Sequence, residues 1–90
     1  MQTLAENEVR DFVLTTLTGP MNIPVDLPTV TDGTPIAAGG IDLESLGLIE
    51  LILHLEQRFG VKVPDTDIES LGAMTLGELA VDIARRRGTA

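Results

Sequence analysis

The sequence has no cysteine, no tryptophan and no tyrosine. Without cysteine there is no disulfide framework, and the chain has no thiolate of its own for nucleophilic chemistry. Phe12 and Phe59 are the only aromatic residues, so the core must be aliphatic. A single histidine, His54, in a chain without cysteine argues against a zinc site, and no metal is expected. Bases are scarce: six Lys and Arg face 14 Asp and Glu, a net charge of −8 with a pI near 4.3. Phosphate contacts need a surplus of Lys and Arg, so nucleic acid is not an expected partner. No apolar run approaches the roughly 18–20 residues that span a bilayer. The N-terminal stretch "MQTLAENEVR" carries acids where a signal peptide carries bases. These absences predict a soluble, cytoplasmic, monomeric protein with no membrane partner.

What remains is 90 residues, 43% of them hydrophobic, enough for one compact core and a single domain spanning 1–90. The charge is uneven. Residues 42–70 carry Asp42, Glu44, Glu50, Glu56, Asp65, Asp67 and Glu69 against only Arg58 and Lys62. Such an acidic field favours and orients basic partners.

Periodicity predicts an all-α fold: a four-helix bundle of three main helices and one short one, with a long first loop. Helix 1 is expected over about 4–17, with Thr3 and Glu6 at capping-box spacing and Val9, Phe12, Val13 and Leu17 along one stripe. Gly19-Pro20 ends it. Loop 18–41 holds four of the five prolines and no period, and Leu27, Val30 and Ile36 are candidates to pin it to the core. Helix 2 is expected over about 43–59, closed by Gly60. Pro64 biases Val63 away from helix, so "VKVPD" reads as an extended connection. Short helix 3 is expected over about 65–71, capped by Asp65 or Thr66, with Thr66 and Glu69 at capping-box spacing and Gly72 closing it. Helix 4 covers about 75–87, with a Thr75–Glu78 capping box, an apolar stripe of Leu76, Leu79, Ala80, Ile83 and Ala84, and Gly88 at its end. Arg85, Arg86 and Arg87 sit where positive charge suits the helix dipole. No internal repeat or low-complexity tract is read from the chain.

Helix 2 is the informative element. On a wheel at about 100° per residue, Leu48, Leu51, Ile52, Leu55 and Phe59 form a core face. Gly47, His54 and Arg58 lie opposite, toward water. Between them, on the side of Ser45, runs a second apolar stripe of Leu46, Ile49 and Leu53, flanked by Glu50 and Glu56. One buried face needs one stripe. The second is either a recognition surface with an apolar centre and charged rim, or the mark of a central helix buried on two sides. Ser45 is equally two-sided. Serine is a favoured N-cap, but Asp42 can cap as well, which would leave Ser45 in the first turn with its hydroxyl free. A phosphate ester there would sit near the positive end of the helix dipole.

The ordered series Glu44-Ser45-Leu46, Ile49-Glu50-Leu51, Leu55-Glu56, Phe59 and Val63-Pro64-Asp65 resembles the second helix and following loop of acyl carrier proteins and the related peptidyl carrier domains. The likeness covers 42–87 and, more loosely, the first helix and loop. It implies that Ser45 carries 4'-phosphopantetheine, added by a phosphopantetheinyl transferase, whose thiol holds acyl or aminoacyl groups as thioesters. It implies partner-facing positions at Glu44, Leu46, Ile49, Glu50, Leu53, Glu56, Ile68 and Glu69, met by loading and synthase enzymes with basic docking surfaces. Glu44 replaces the usual aspartate, and Gly47 lies where many fatty-acid carriers have an acid. Gln57 and Arg58 dilute the acidic rim, and the first loop is rich in Pro and Gly. These departures point toward a discrete carrier of a bacterial specialised pathway, polyketide or non-ribosomal peptide, rather than a housekeeping fatty-acid carrier, with a fatty-acid-type pathway kept open.

Two other classes compete. A serine hydrolase needs a base within reach of the nucleophile, and His54 lies about 180° around the helix from Ser45, so no catalytic residue is expected. An unmodified acidic interaction module would keep the apolar stripe without needing Ser45. An aliphatic core with little aromatic filling permits an acyl chain to lodge between the helices.

Overall fold

The structure, a computed structural model, describes residues 4–89. Four helices follow one another: α1 (Leu4–Thr18), α2 (Ser45–Phe59), α3 (Ile68–Gly72) and α4 (Leu76–Thr89). Two 3₁₀ turns, Leu27–Thr29 and Asp65–Asp67, lie between them. No strand occurs among the described residues, only an isolated antiparallel bridge between Pro35 and Thr75. The architecture is the expected all-α one.

In α1, Val9, Val13 and Leu17 recur every fourth residue and are fully buried, with Phe12 half-buried beside them. This stripe packs chiefly on α4 and less extensively on α2, while α3 rests on α2. The core between them is aliphatic: Ile36, Leu51, Leu55, Leu71, Leu76, Leu79 and Ile83 are all enclosed. The two aromatic rings meet edge-on at its margin, 5.4 Å apart at 83°. The Thr3–Glu6 capping box lies outside the described residues.

The first helical amides of α4 are all satisfied. Leu76 N donates to Thr34 O and Gly77 N to Asp32 O, both at 2.8 Å, so the first loop covers the helix end with its own carbonyls. Glu78 N donates to Thr75 Oγ1 at 3.2 Å and Leu79 N to Thr75 O at 2.9 Å. Thr75 N returns a bond to Glu78 Oε1 at 2.9 Å, completing the expected capping box. Gly60 also behaves as expected: its φ of 68° closes α2, and its N–H reaches Glu56 O.

Four local expectations need correction. The loop is pinned by buried Ile36, whose N–H donates to Met74 O, but Leu27 stays 51% exposed. It opens a 3₁₀ turn that buries no residue; backbone bonds to the head of α4 hold the loop instead. Neither Asp65 nor Thr66 caps α3, because both fall inside a 3₁₀ turn that runs straight into that helix. Gly72 is the last helical residue of α3 rather than a left-handed stop, with Ala73 still near helical dihedrals. Gly88 does not end α4, which runs on to Thr89; a glycine in a last turn costs about 1 kcal/mol against alanine without forbidding helix.

Candidate functional site: the head of helix α2

The approach to α2 sets everything at its head. Asp42 has a φ of 60°, a left-handed conformation that aspartate tolerates better than most residues. Its Oδ1 accepts a hydrogen bond from Gly39 N at 3.1 Å, and its own N–H donates to Ala37 O at 2.9 Å. Leu43 N then donates to Ile36 O, and the Leu43 side chain turns into the core. Asp42 therefore shapes the loop and does not cap the helix. The helix begins at Ser45, later than the expected residue 43.

Glu44 occupies the N-cap with extended dihedrals and makes no side-chain cap bond. Ser45 is the first helical residue, exposed, with no hydrogen bond from its hydroxyl to any described residue. The first backbone bond of the helix is Leu48 N to Glu44 O at 2.8 Å. The amides of Ser45, Leu46 and Gly47 thus have no acceptor among the described residues. The contrast with α4 is physical. One helix start is sealed by loop carbonyls and a threonine; the other leaves unpaired N–H groups and the positive end of the helix dipole facing outward, beside a free hydroxyl.

The five residues assigned to the core face of α2 are buried, and no others of that helix are. The second stripe faces outward: Leu46 is 81% exposed, Ile49 40% and Leu53 52%. The helix is therefore buried on one side, and its other apolar face is free. Glu44, Glu50 and Glu69 are exposed around that face. Glu56 is placed differently: it is half-buried, and its Oε2 accepts the Val63 N–H at 2.8 Å, so its carboxylate holds the α2–α3 connection. Ile68 is half-buried and packed on the core. A groove of about 580 Å³ runs between α2 and α3, lined by Ser45, Leu48, Ile49, Asp65, Ile68 and Glu69. The sequence pattern had not brought Leu48 and Asp65 to this place, because a wheel assigns faces within one helix and not contacts between two.

Of the side assigned to water, Arg58 is exposed while Gly47 and His54 are half-buried. Gly47 faces Leu43 so closely that a Cβ there would lie 2.8 Å from Leu43 Cδ1, with Met21 just beyond. A side chain at this position would have to turn the Leu43 methyl aside. Arg58 lies over both aromatic rings, 5.9 Å from Phe12 and 5.0 Å from Phe59, and pairs with Glu8 at 3.3 Å.

A short repetition also escaped the sequence reading. The pattern Asp-(Leu/Ile)-Glu-Ser-Leu-Gly occurs at 42–47 and again at 67–72. The fold treats the two copies oppositely. Leu46 is the most exposed large apolar residue of its stripe, whereas Leu71 is buried at 1%. Ser45 opens a helix, whereas Ser70 lies inside a continuous helical run that starts at Asp65. Only the first copy puts its serine beside open amides.

Among the described residues no cluster of three or more His, Asp or Glu side chains could hold a metal ion. No helix among the described residues is long and apolar enough to cross a membrane. This packed helical domain displays the Ser45 hydroxyl beside an apolar face, with its one histidine half a turn of the wheel away on the same helix.

Comparison with known proteins names the class. The family described as phosphopantetheine attachment site matches residues 22–82. An acyl carrier protein of Lactobacillus acidophilus is 29% identical over 82 residues, covering 91% of this chain and 91% of its own length. One from Rubrobacter xylanophilus is 44% identical over 59 residues, 63% of this chain and 69% of its own. A meromycolate extension acyl carrier protein of Mycolicibacterium aurum is 33% identical over 45 residues, 50% of this chain and 44% of its own. No solved structure matches. The chain belongs to the acyl carrier protein family.

It is accordingly a carrier and not a catalyst, its covalent cofactor is 4'-phosphopantetheine, and it works with a phosphopantetheinyl transferase and synthase enzymes. The cofactor's terminal thiol supplies the thioester chemistry that a cysteine-free chain lacks. The head of α2 fits a phosphodiester: an exposed hydroxyl to bear it, and unpaired amides with a helix dipole to favour its charge.

Proposed function

We propose that Ser45 is the residue that bears the phosphopantetheine arm, and that Leu46, Ile49 and Leu53, rimmed by Glu44, Glu50 and Glu69, form the surface on which partner enzymes dock. The observation that carries this reading is the open start of α2, with the Ser45 hydroxyl free and the adjoining apolar stripe exposed. An unmodified interaction module would need the stripe but not the open amides. Ile68 completes the surface from α3, while the Glu56 carboxylate contributes little, since it is engaged with the Val63 amide.

The carrier acts as one domain over 1–90, as a monomer in the cytoplasm. It tethers an intermediate and raises its effective concentration at partner active sites. The relatives described above are all named as acyl carrier proteins, which favours an acyl over an aminoacyl cargo. Glu44 before the serine and the Pro- and Gly-rich first loop favour a specialised bacterial pathway of polyketide or fatty-acid type. Gly47 no longer supports that narrowing, because Leu43 lies against the position.

The docking surface is tested by titrating the isotope-labelled chain with a phosphopantetheinyl transferase and mapping amide shift changes. Changes should concentrate on 44–53 and 68–69 and weaken as salt is raised. Changes centred on α1 or α4 would refute the assignment.

A further inference from the structure

Two of the three arginines near the end of α4, Arg86 and Arg87, do more than oppose a helix dipole. Arg86 reaches away from its own helix. Its Nε donates to Asp82 Oδ2 at 2.6 Å, its Nη2 to Asp67 Oδ2 at 3.0 Å, and its Nη1 to Lys62 O at 3.4 Å. The planar fork thereby joins α4 to the connection after α2 and to the turn before α3.

Besides that fork, the turn and α3 are held by Val63 before them, by half-buried Ile68 and by Leu71. The Asp65–Asp67 turn buries no residue, and α3 buries only Leu71 and has no side-chain cap at its start. The anchors also lie at opposite ends. At the C-terminal end, Leu71 is enclosed, and Gly72 approaches α2 so closely that a Cβ would lie 2.8 Å from Leu48 Cδ2. At the N-terminal end, Asp67 is held by Arg86. Asp65, Ile68 and Glu69, on either side of Asp67, form one wall of the groove whose other wall is Ser45, Leu48 and Ile49. With Val63 buried before the turn and Leu71 buried after it, loosening Asp67 would let the wall between these two anchors shift.

We propose that Arg86 is a positioning residue that clamps the Asp65–Asp67 turn and the head of α3, and so sets how far the groove beside Ser45 opens to an apolar acyl chain. The inference rests on Ser45 as the attachment point for its acyl arm, but not for its mechanical part. The walls Leu48, Ile49 and Ile68 suit a hydrocarbon chain, and the acids Asp65 and Glu69 at the lip disfavour an anionic one.

The test uses the full chain with R86Q, R86K and D67N substitutions. In the unmodified protein, amide hydrogen exchange at 66–72 should accelerate about tenfold in R86Q, the order expected for losing a charge-assisted hydrogen bond, with α1 and the core of α2 unchanged. D67N, which keeps an acceptor oxygen but loses its charge, should accelerate exchange at 66–72 less than R86Q, and the R86Q/D67N double variant should be no faster than R86Q. R86K, which keeps the charge but not the fork, should fall between. In chains loaded with acetyl or octanoyl groups, hydroxylamine should cleave the octanoyl thioester more slowly than the acetyl one in the native chain. That difference should vanish in R86Q and narrow in D67N. Equal acceleration of exchange in every helix, or independent effects of R86Q and D67N, would overturn the clamp. So would an octanoyl protection that survives a loosened α3. Failure to load Ser45 at all would sink the attachment reading, while the exchange measurements would still decide the clamp.

Discussion

Arg87 reaches back from the last turn of α4 to the first helix and donates a hydrogen bond to Oε1 of Glu8 at 2.7 Å. Arg58 approaches the other carboxylate oxygen at 3.3 Å, and both guanidinium groups lie over the Phe59 ring. The Arg87 hydrogen bond holds the Glu8 carboxyl below its ordinary value of 4.5. A carboxyl depressed in the folded state stabilises the fold above its unfolded pKa, and that contribution is lost as pH falls through the folded value. Glu8→Gln should therefore lower the denaturant midpoint at pH 7, and the gap from the native chain should close as pH falls below 4.5. A gap that stays constant with pH would show that Glu8 acts only through packing.

Gly47 separates packing from charge at the docking end of α2. Its Cβ position is filled by Leu43, so Gly47→Asp must displace a core leucine. The expected loss is about 1–3 kcal/mol, the usual cost of overpacking, measured by chemical denaturation. A neutral result would mean that Leu43 swings aside freely and that the glycine was not chosen for space.

Leu46 and Leu51 sit on one helix with opposite fates, the first displayed and the second enclosed. Leu51→Ala should cost about 2–5 kcal/mol. Leu46→Ala should change stability by less than about 0.5 kcal/mol and yet slow transferase-catalysed modification. An unimpaired modification rate for Leu46→Ala would remove that residue from the docking surface.

Asp42 is held in a left-handed conformation with its side chain bonded to Gly39. Asp42→Ala should lose about 1–3 kcal/mol from the combined backbone and hydrogen-bond penalties. Asp42→Asn, which tolerates the same dihedrals, should be close to neutral. Equal losses in both would assign the effect to charge.

Much of this was legible in the chain. The period of Val9, Val13 and Leu17 and that of Leu48, Leu51, Leu55 and Phe59 had one physical meaning each, a buried face, and the fold buries them. The Leu46–Ile49–Leu53 stripe had two meanings, because periodicity shows that a face is apolar but not whether a neighbour covers it. The choice between Asp42 and Ser45 as the cap stayed open because the residue types that cap helices also tolerate left-handed turns, and only the backbone tells them apart. Gly47 looked solvent-facing because a wheel carries no information about Leu43, which precedes the helix. The role of Arg86 was hidden for a related reason: its acceptors Asp67 and Lys62 lie far back in the sequence, and the local dipole argument was sufficient without them. The duplicated Glu-Ser-Leu-Gly pattern shows the limit most directly, since identical residues open a helix with an exposed leucine in one copy and continue a helical run with a buried leucine in the other.

That duplication also supplies the sharpest test. The native chain, Ser45→Ala and Ser70→Ala should each be incubated with coenzyme A and a broad-specificity phosphopantetheinyl transferase, and their intact masses measured. The account predicts the gain of one phosphopantetheine group in the native chain and in Ser70→Ala, and none in Ser45→Ala. A gain that persists in Ser45→Ala, or disappears in a folded Ser70→Ala, would contradict it.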